Sequence, residues 1–546
     1  MSFLLDDETK KIIGFNYVIN QIKVITPFGC QLKEKLKPYM PGEEDILRDE
    51  LDKVETLINL IRNNGKEFIR IKGLLEHFKD LSNSVKNTVK GNTLTLVELF
   101  EIKNFVFLLK KLNEEILKLN FDIPSDMRIR RIEKLERLLD PRNEGIMTFY
   151  IYEEYSDRLK EIRENKKKLK ESIKCEKRKI RGKIKKDLKL NVNLKGEVTV
   201  LKDDTELIEK IEKYPFLTYS SETYMNIKYV IKSTPVIDSL EKELDNVKRM
   251  EEEEEFKVRK ELSKEIGGFS DALLSNMNAI GKLDLTIAKA YMAIDIDGVK
   301  PKIKNEHSIN IIDGRHIEVE DFLKEKGKSF TPISIKLSEG VTCITGANMG
   351  GKTVTLKLIA LLSVMAQYGL FIPCRGMELG LNGFIHVSIG DLQSVDRGLS
   401  TFGGEISKLK VALNRKDNRG LILLDELARG TNPEEGYAIS KAIVNFLKDS
   451  KSITVITTHY DNVANSDDVV HLQVIGLANV NYDELKQRLL KDKIDGIEVV
   501  SQYMDYRLKR VTNKSQVPRD AINIARLMGL DEEILKNAEE ILGAGY

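Results

Sequence analysis

Apolar residues recur at intervals of three and four early in the chain: Leu47, Leu51, Val54, Ile58 and Ile61 trace one face of an amphipathic helix. Pro27, Pro38 and Pro41 punctuate the segment before it, and Gly91-Asn92 interrupts the run after it, so Phe15 to about Ile151 reads as a helical domain. The pattern then changes. From Asp157 to Leu188 the residues Ile162, Leu169, Ile173, Ile180 and Ile184 keep steps of seven and four, the narrow stripe of a coiled-coil seam. A second long helix starts near Val236, with Leu240, Leu244, Val247, Val258 and Leu262 at comparable spacing. Strand-like pieces, Glu197–Leu201 and Tyr229–Ile231, lie between them, so an antiparallel two-helix arm with a small inserted tip is expected. Gly298 to Phe330 is a charged transition with short strands. From Ile333 to about Val480 strands and helices alternate, which predicts a parallel sheet covered on both faces. Asp483 to Tyr546 returns to mixed structure and ends in helices.

Composition bounds this picture. At 546 residues the chain is too long for one core, and its length implies three or four domains. Charged residues make up 32% and aromatics 7%, without Trp, which suits long exposed helices better than a β-sandwich. A net charge of +2 gives no argument for a nucleic-acid partner by itself. Locally the balance differs: Lys160 to Asp187 holds 14 Lys or Arg against 5 Asp or Glu. That basic helix would suit the tracking of DNA phosphates. The plainer account sets it against the acidic run Glu251 to Glu255, lying opposite Lys166–Lys179 across the coil. Cys30, Cys175, Cys343 and Cys374 have no metal-ligand spacing, which argues against structural zinc or a disulfide framework. The N-terminus is acidic where a signal peptide needs basic residues, and no apolar run approaches the roughly 20 residues of a membrane span. A soluble, cytoplasmic protein without membrane contact is expected.

The candidate chemistry lies in the C-terminal half. Val341 to Thr345 is an apolar, β-branched strand, followed by Gly346, Ala347, Asn348, Met349, Gly350, Gly351, Lys352 and Thr353. Glycines at this spacing let backbone N–H groups close around phosphates. Lys352 supplies a point charge, and Thr353 offers a hydroxyl to Mg²⁺ at a helix N-terminus. Leu421–Leu424 form a second buried strand, with Asp425 and Glu426 where it ends. Ligands collect at that end of a parallel sheet. Asp425 is therefore expected to hold Mg²⁺, and Glu426 to orient or deprotonate an attacking water. A lone Asp-Glu after a strand is ordinarily a helix N-cap; the phosphate loop upstream changes that reading. A third strand, Ile453–Thr457, delivers Thr458 and His459 to the same edge, with His459 as a γ-phosphate sensor. Leu399, Ser400, Thr401, Phe402, Gly403, Gly404 and Glu405 precede a helix and form a donor surface for a phosphate presented from elsewhere, including a second subunit.

In that spacing TGANMGGKT, LSTFGGEI, LLDELARGT and TTHY resemble the ATPase domain of the MutS family, within the ABC-type ATPases. Asp313-Gly314-Arg315-His316 matches a further short family motif, with Ile317 in place of the usual proline. KTVTLK, MAQYGLFIP and IGDLQSVDRGLSTF are most similar to the second bacterial branch, whose members lack mismatch recognition. The resemblance is strong from Asp313 to about Leu542 and weaker over the helical core. It implies ATP and Mg²⁺ as ligands, with Gly346 to Thr353 on the phosphates and metal and Asn348 reporting on the γ-phosphate. Lys352, Glu426 and His459 would be the catalytic groups, and Thr353 and Asp425 the metal groups. The resemblance also implies that Ser400 reaches the γ-phosphate of the opposite subunit, so that a homodimer forms two composite sites. Phe330 would stack on adenine. Tyr506-Arg507-Leu508-Lys509 with Ala521 to Leu542 would form a dimerising helical hairpin, and the arm would be a lever and clamp.

The expected fold is multidomain: an α-helical core over 1–155 with 266–297 returning to it, then coiled-coil lever helices over 156–265 with a clamp insertion at about 192–234. An α/β P-loop (ABC-type) ATPase domain covers 298–482, and a C-terminal helical dimerisation segment covers 483–546. The core begins almost at Phe15, leaving no room for a mismatch-reading domain, and the sequence stops at Tyr546 before the nuclease module common in the second branch. Initiating mismatch repair is therefore not expected. The favoured function is an ATP-driven dimeric clamp on double-stranded or branched DNA. The alternative is a chaperone-like reactivation ATPase whose protein client is a cobalamin-dependent aminomutase. An intact Glu426 argues against a scaffold that merely binds ATP.

Overall fold

The computed structural model describes residues 4–119, 121, 123–193, 195–346, 351–389, 401–428, 431–464, 468–477, 504–511, 522, 525–526 and 530–544. The chain divides into two compact units, Met1–Glu76 with Lys118–Met127 and Ala279–Tyr546, and His77–Leu117 with Arg128–Asn278. The first unit opens with α1 (Asp7–Ile12), α2 (Phe15–Gln21), α3 (Pro27–Glu34), α4 (Glu44–Asn63) and α5 (Gly65–Leu75). The apolar face expected on α4 is buried at Leu47, Leu51, Val54, Ile58 and Ile61. Pro27 stands in the first turn of α3, where a missing N–H leaves no bond unmade, and the Thr26 hydroxyl caps that helix by accepting from the Gly29 N–H.

The second unit contains α6 (Ser82–Val89), α7 (Leu96–Leu117), α8 (Glu133–Leu139), α9 (Asp157–Leu188), β1 (Glu197–Leu201), α10 (Thr205–Glu212), β2 (Leu217–Glu222), β3 (Asn226–Ile231) and α11 (Pro235–Gly267). The next helix, α12 (Ser270–Asp295), contributes residues to both units. Ser156 caps α9 and Thr234 caps α11, with Pro235 in its first turn. Ile162 and Leu169 pack with Val247, Leu240 and Leu244 as an apolar seam. Ion pairs beside it give the direction. Arg163 meets Glu251 at 3.1 Å and Glu255 at 2.8 Å, Lys166 meets Glu251, and Lys177 meets Glu241 at 2.8 Å, so the two helices run antiparallel. The acidic run thus reaches only the leading end of the expected basic stretch, because the apolar seam sets the register and charges pair where it leaves them.

Farther along, Ile180, Ile184 and Ile237 close with Val198, Val200, Ile211, Leu217 and Tyr229 into a small core of their own. Its antiparallel sheet has the order β1-β3-β2. The insertion therefore holds a strand and a helix beyond the two expected pieces. β2 leaves no periodic signal, since only Leu217 of LTYSSE is buried.

The first unit resumes with β4 (Lys302–Lys304), β5 (Ser308–Gly314), α13 (Ile317–Glu325), β6 (Ile333–Ser338), β7 (Gly340–Thr345), α14 (Lys352–Gln367), β8 (Gly376–Gly380) and β9 (Phe384–Ser388). It continues through α15 (Thr401–Leu413), β10 (Gly420–Leu424), α16 (Pro433–Leu447), β11 (Ile453–Thr457), β12 (Val469–Gly476), β13 (Asp505–Arg510) and a final helix, Glu532–Ala544. One sheet has the order β4-β8-β5-β6, the other β13-β12-β7-β11-β10-β9. In the larger sheet β9, β10, β11, β7 and β12 are parallel. Leu421 and Leu423 of β10 enter one apolar core while Ile422 and Leu424 enter another, which is why the strand is apolar at every position. Of the 16 residues of α14, all but Thr353, Val354 and Lys357 are buried.

Tyr506–Lys509, expected to open a helical hairpin, instead belong to β13, antiparallel to β12 with Val474 level with Leu508. Their alternating polar and apolar side chains suit an edge strand with one wet face better than a helix. Of Ala521 to Leu542, several positions lie outside the described residues, and the remainder runs into the final helix. Among the described residues no helix is long and apolar enough to cross a membrane.

The Asp313–His316 motif is a joint. Arg315 donates to Glu320 at 2.8 and 3.0 Å and to the Ile296 carbonyl at 2.5 Å, tying α13 to the segment after α12. His316 is buried, and burial, aided by Lys357, pushes its imidazole down to about 4. In the unfolded chain the ring titrates near 6.5. Above that pH both states are neutral and the residue contributes no pH dependence. As pH falls from about 6.5 to about 4 the unfolded state takes up a proton that the folded state refuses, removing up to about 3 kcal/mol of stability. Urea midpoints at about pH 7.5 and pH 4.5 should therefore differ less in His316→Gln than in the wild type; equal differences would contradict this.

Candidate active site

β7, β10 and β11 are neighbours, with Thr457 level with Ile344 and Ile456 level with Leu424. Their carboxyl ends therefore open at one edge of the sheet. There β7 runs into Gly346, β10 into Asp425 and Glu426, and β11 ends on Thr457, just before Thr458 and His459. α14 starts at the same place, and its first-turn N–H groups have no partner within the helix.

Two glycines shape the loop before α14. Gly346 has φ +140° and a Cβ there would sit 3.1 Å from Val474 Cβ; Gly351 has φ +75° and a Cβ there would sit 3.0 Å from Tyr506 Cδ1. Lys352 is buried, and its ammonium donates to the Gly346 carbonyl at 2.8 Å. Ala347, Asn348, Met349, Gly350 and Ser400 lie outside the described residues. Phe330 is half-buried against the larger apolar core.

The remaining groups form one hydrogen-bonded chain. The Thr353 hydroxyl donates to Asp425 Oδ2 at 2.7 Å, and the Thr457 hydroxyl donates to Asp425 Oδ1 at 2.6 Å. The same Thr457 oxygen accepts from the Glu426 N–H at 2.9 Å, and Glu426 Oε1 lies 2.7 Å from His459 Nε2. Glu426 (φ +49°) and Ala428 (φ +61°) are in the left-handed region. Each costs roughly 1–2 kcal/mol for a residue with a Cβ, so the surrounding bonds must hold the turn in place. The structure thus brings Lys352, Thr353, Asp425, Glu426 and His459 to one edge.

Thr457 has no role in the sequence reading, and Tyr506 enters it only as part of the expected hairpin. The only signal for Thr457 was its place as the last residue of a buried strand beside the acidic pair; for Tyr506 there was none. Cys343 lies on β7, but burial pushes its thiol up to about 12, so it stays neutral and is no nucleophile.

Residues 342–544 match the family described as MutS domain V. The chain is 26% identical to Endonuclease MutS2 of Halothermothrix orenii, an alignment covering 98% of this chain and 65% of that protein. It is 30% identical to Endonuclease MutS2 of Acetivibrio thermocellus, over 84% of this chain and 57% of the relative. Against Endonuclease MutS2 of Thermomicrobium roseum it is 33% identical, over 53% and 35%. The chain belongs to the MutS family. Within that family its relatives put it in the MutS2 branch, and it spans about two thirds or less of their length. The MutS domain V match takes in Gly346, Lys352, Thr353, Asp425, Thr457 and His459, the groups gathered at the sheet edge.

Gly351→Ala would place a methyl group against Tyr506 in a left-handed backbone. It should lower the free energy of unfolding by about 1–2 kcal/mol, read from denaturant midpoints, and Tyr506→Ala should relieve only the steric part. A Gly351→Ala protein as stable as the wild type would contradict the described turn.

Proposed function

We propose that this MutS-family chain hydrolyses ATP with Mg²⁺ and uses the cycle to move its two-helix arm, as lever and clamp, on DNA. The observation that carries the ATP reading is the continuous chain Thr353–Asp425–Thr457–Glu426–His459 beside the buried Lys352. Thr353 Oγ1 and Asp425 Oδ2 are hard oxygen donors 2.7 Å apart, the donor chemistry that fits Mg²⁺. Bound there, Mg²⁺ supplies charge neutralisation to the phosphates.

The residues divide the work. Gly346, Ala347, Asn348, Met349, Gly350 and Gly351 present backbone donors to the phosphates, and Asn348 reports on the γ-phosphate. Lys352 adds its charge, and Thr353 and Asp425 hold the metal. Glu426 takes the proton of the attacking water while His459, 2.7 Å away, orients its carboxylate. Phe330 stacks on adenine. Ser400 of a second copy completes each site, so the working form is a homodimer.

The DNA reading draws on the arm. Lys167, Lys170, Lys174, Arg178 and Lys185 recur on one face of α9, all exposed and, among the described residues, in no ion pair. They span about 27 Å of helix. Internal pairing accounts for Arg163, Lys166 and Lys177; this second set is left for an outside polyanion. The name of the relatives, Endonuclease MutS2, points the same way, but the cutting activity it states is not carried to a chain that spans 65% or less of their length. The aminomutase-reactivation alternative gains no support from them.

Glu426→Gln should bind ATP as the wild type does while turnover falls by about 100-fold or more. Undiminished turnover would refute its role as base. Replacing Lys167, Lys170, Lys174, Arg178 and Lys185 by Gln should weaken binding to linear or four-way DNA. It should also flatten the log–log salt dependence by up to about 4.5, one phosphate contact being worth about 0.9. An unchanged slope would remove the stripe from the interface.

A further inference from the structure

We propose that Thr457 is a positioning residue that sets the metal-facing carboxylate of Asp425 and the backbone of Glu426 as one unit. This rests on the ATP and Mg²⁺ reading of the site and adds a residue to it. The register places Thr457 at the end of β11, one step beyond the Ile456–Leu424 pair and therefore beside Asp425. It is fully buried.

A carboxylate oxygen only accepts and a backbone N–H only donates, so the polarity of both contacts is fixed. The single hydroxyl proton goes to Asp425 Oδ1 at 2.6 Å, and a lone pair takes the Glu426 N–H at 2.9 Å. Both capacities of the hydroxyl are used, and no apolar side chain of the same shape supplies either. Asp425 is thereby held on two sides, Oδ2 by Thr353 at the start of α14 and Oδ1 by Thr457 on β11. Glu426 needs such a hold, because φ +49° is a backbone state that relaxes unless its surroundings enforce it. The same bond aims its side chain at His459, whose Nε2 lies 2.7 Å from Oε1. Without the hydroxyl, the Asp425 carboxylate keeps, among the described residues, its tether to Thr353, and the Glu426 N–H loses the Thr457 oxygen as an acceptor.

The test compares Thr457→Val, Thr457→Ala and Thr457→Ser with the wild type in the full chain. Mn²⁺ binding in the presence of ATP is followed by electron paramagnetic resonance, ATP binding without metal by nucleotide fluorescence, and turnover under saturating ATP and Mg²⁺. The expected result is that Val and Ala lower kcat by about 10- to 100-fold and weaken Mn²⁺ several-fold, with metal-free ATP binding within about twofold of the wild type. Ser should restore both kcat and Mn²⁺ affinity, since it keeps the hydroxyl. Val or Ala proteins with wild-type kcat and Mn²⁺ affinity would overturn the proposal, and so would a Ser protein as impaired as Ala. If Val fails to fold, Ala and Ser still decide the matter, because Ala removes the hydroxyl without adding bulk. A wild-type chain that binds neither ATP nor Mn²⁺ would instead refute the underlying ATP reading.

Discussion

Asp425 is the carboxylate on which the site turns. Its two oxygens take hydroxyl protons from residues about a hundred positions apart in sequence, Thr353 at the start of α14 and Thr457 at the end of β11. That arrangement exists only because β7, β10 and β11 stand side by side in parallel with Thr457 level with Ile344. A shift of one residue in either pairing would turn Thr457 to the opposite face and take both hydrogen bonds with it. The apolar cores on the two sides of the sheet fix that register, so burial of Leu421, Ile422, Leu423 and Leu424 sets the position of the chemistry at their end.

Electrostatics divides the arm in a similar way. Its apolar seam sets which cations of α9 meet acids of α11. Arg163, Lys166 and Lys177 do, and their charge is spent within the unit. Lys167, Lys170, Lys174, Arg178 and Lys185 fall on a face the seam leaves outward. Internal pairing thus accounts for some cations of the basic helix and leaves others exposed, so a near-neutral chain still presents a positive stripe.

Much of this was legible in the sequence, for physical reasons. Long periodic segments state their structure strongly, so α4, α9 and α11 and the buried strands β7, β10 and β11 were expected where they occur. Asp425, Glu426 and His459 could be read because each follows such a strand. β2 was hidden by its exposure, and β13 by the brevity of its alternating run. Thr457 was hidden for another reason: which hydroxyl at a strand end reaches a carboxylate depends on the neighbouring strand, which only the fold supplies. The division of the helical region, with Met1–Glu76 in the same compact unit as the α/β sheets, likewise depends on long-range packing that local pattern does not carry.

The most direct measurement is ATP turnover by the purified chain at saturating ATP, titrated with Mg²⁺, for the wild type beside Asp425→Asn. Turnover should require the metal in the wild type and fall by about 100-fold or more in Asp425→Asn, since the amide keeps the shape of the carboxylate but not its charge. Turnover that proceeds without metal, or an Asp425→Asn protein as fast as the wild type, would contradict the account.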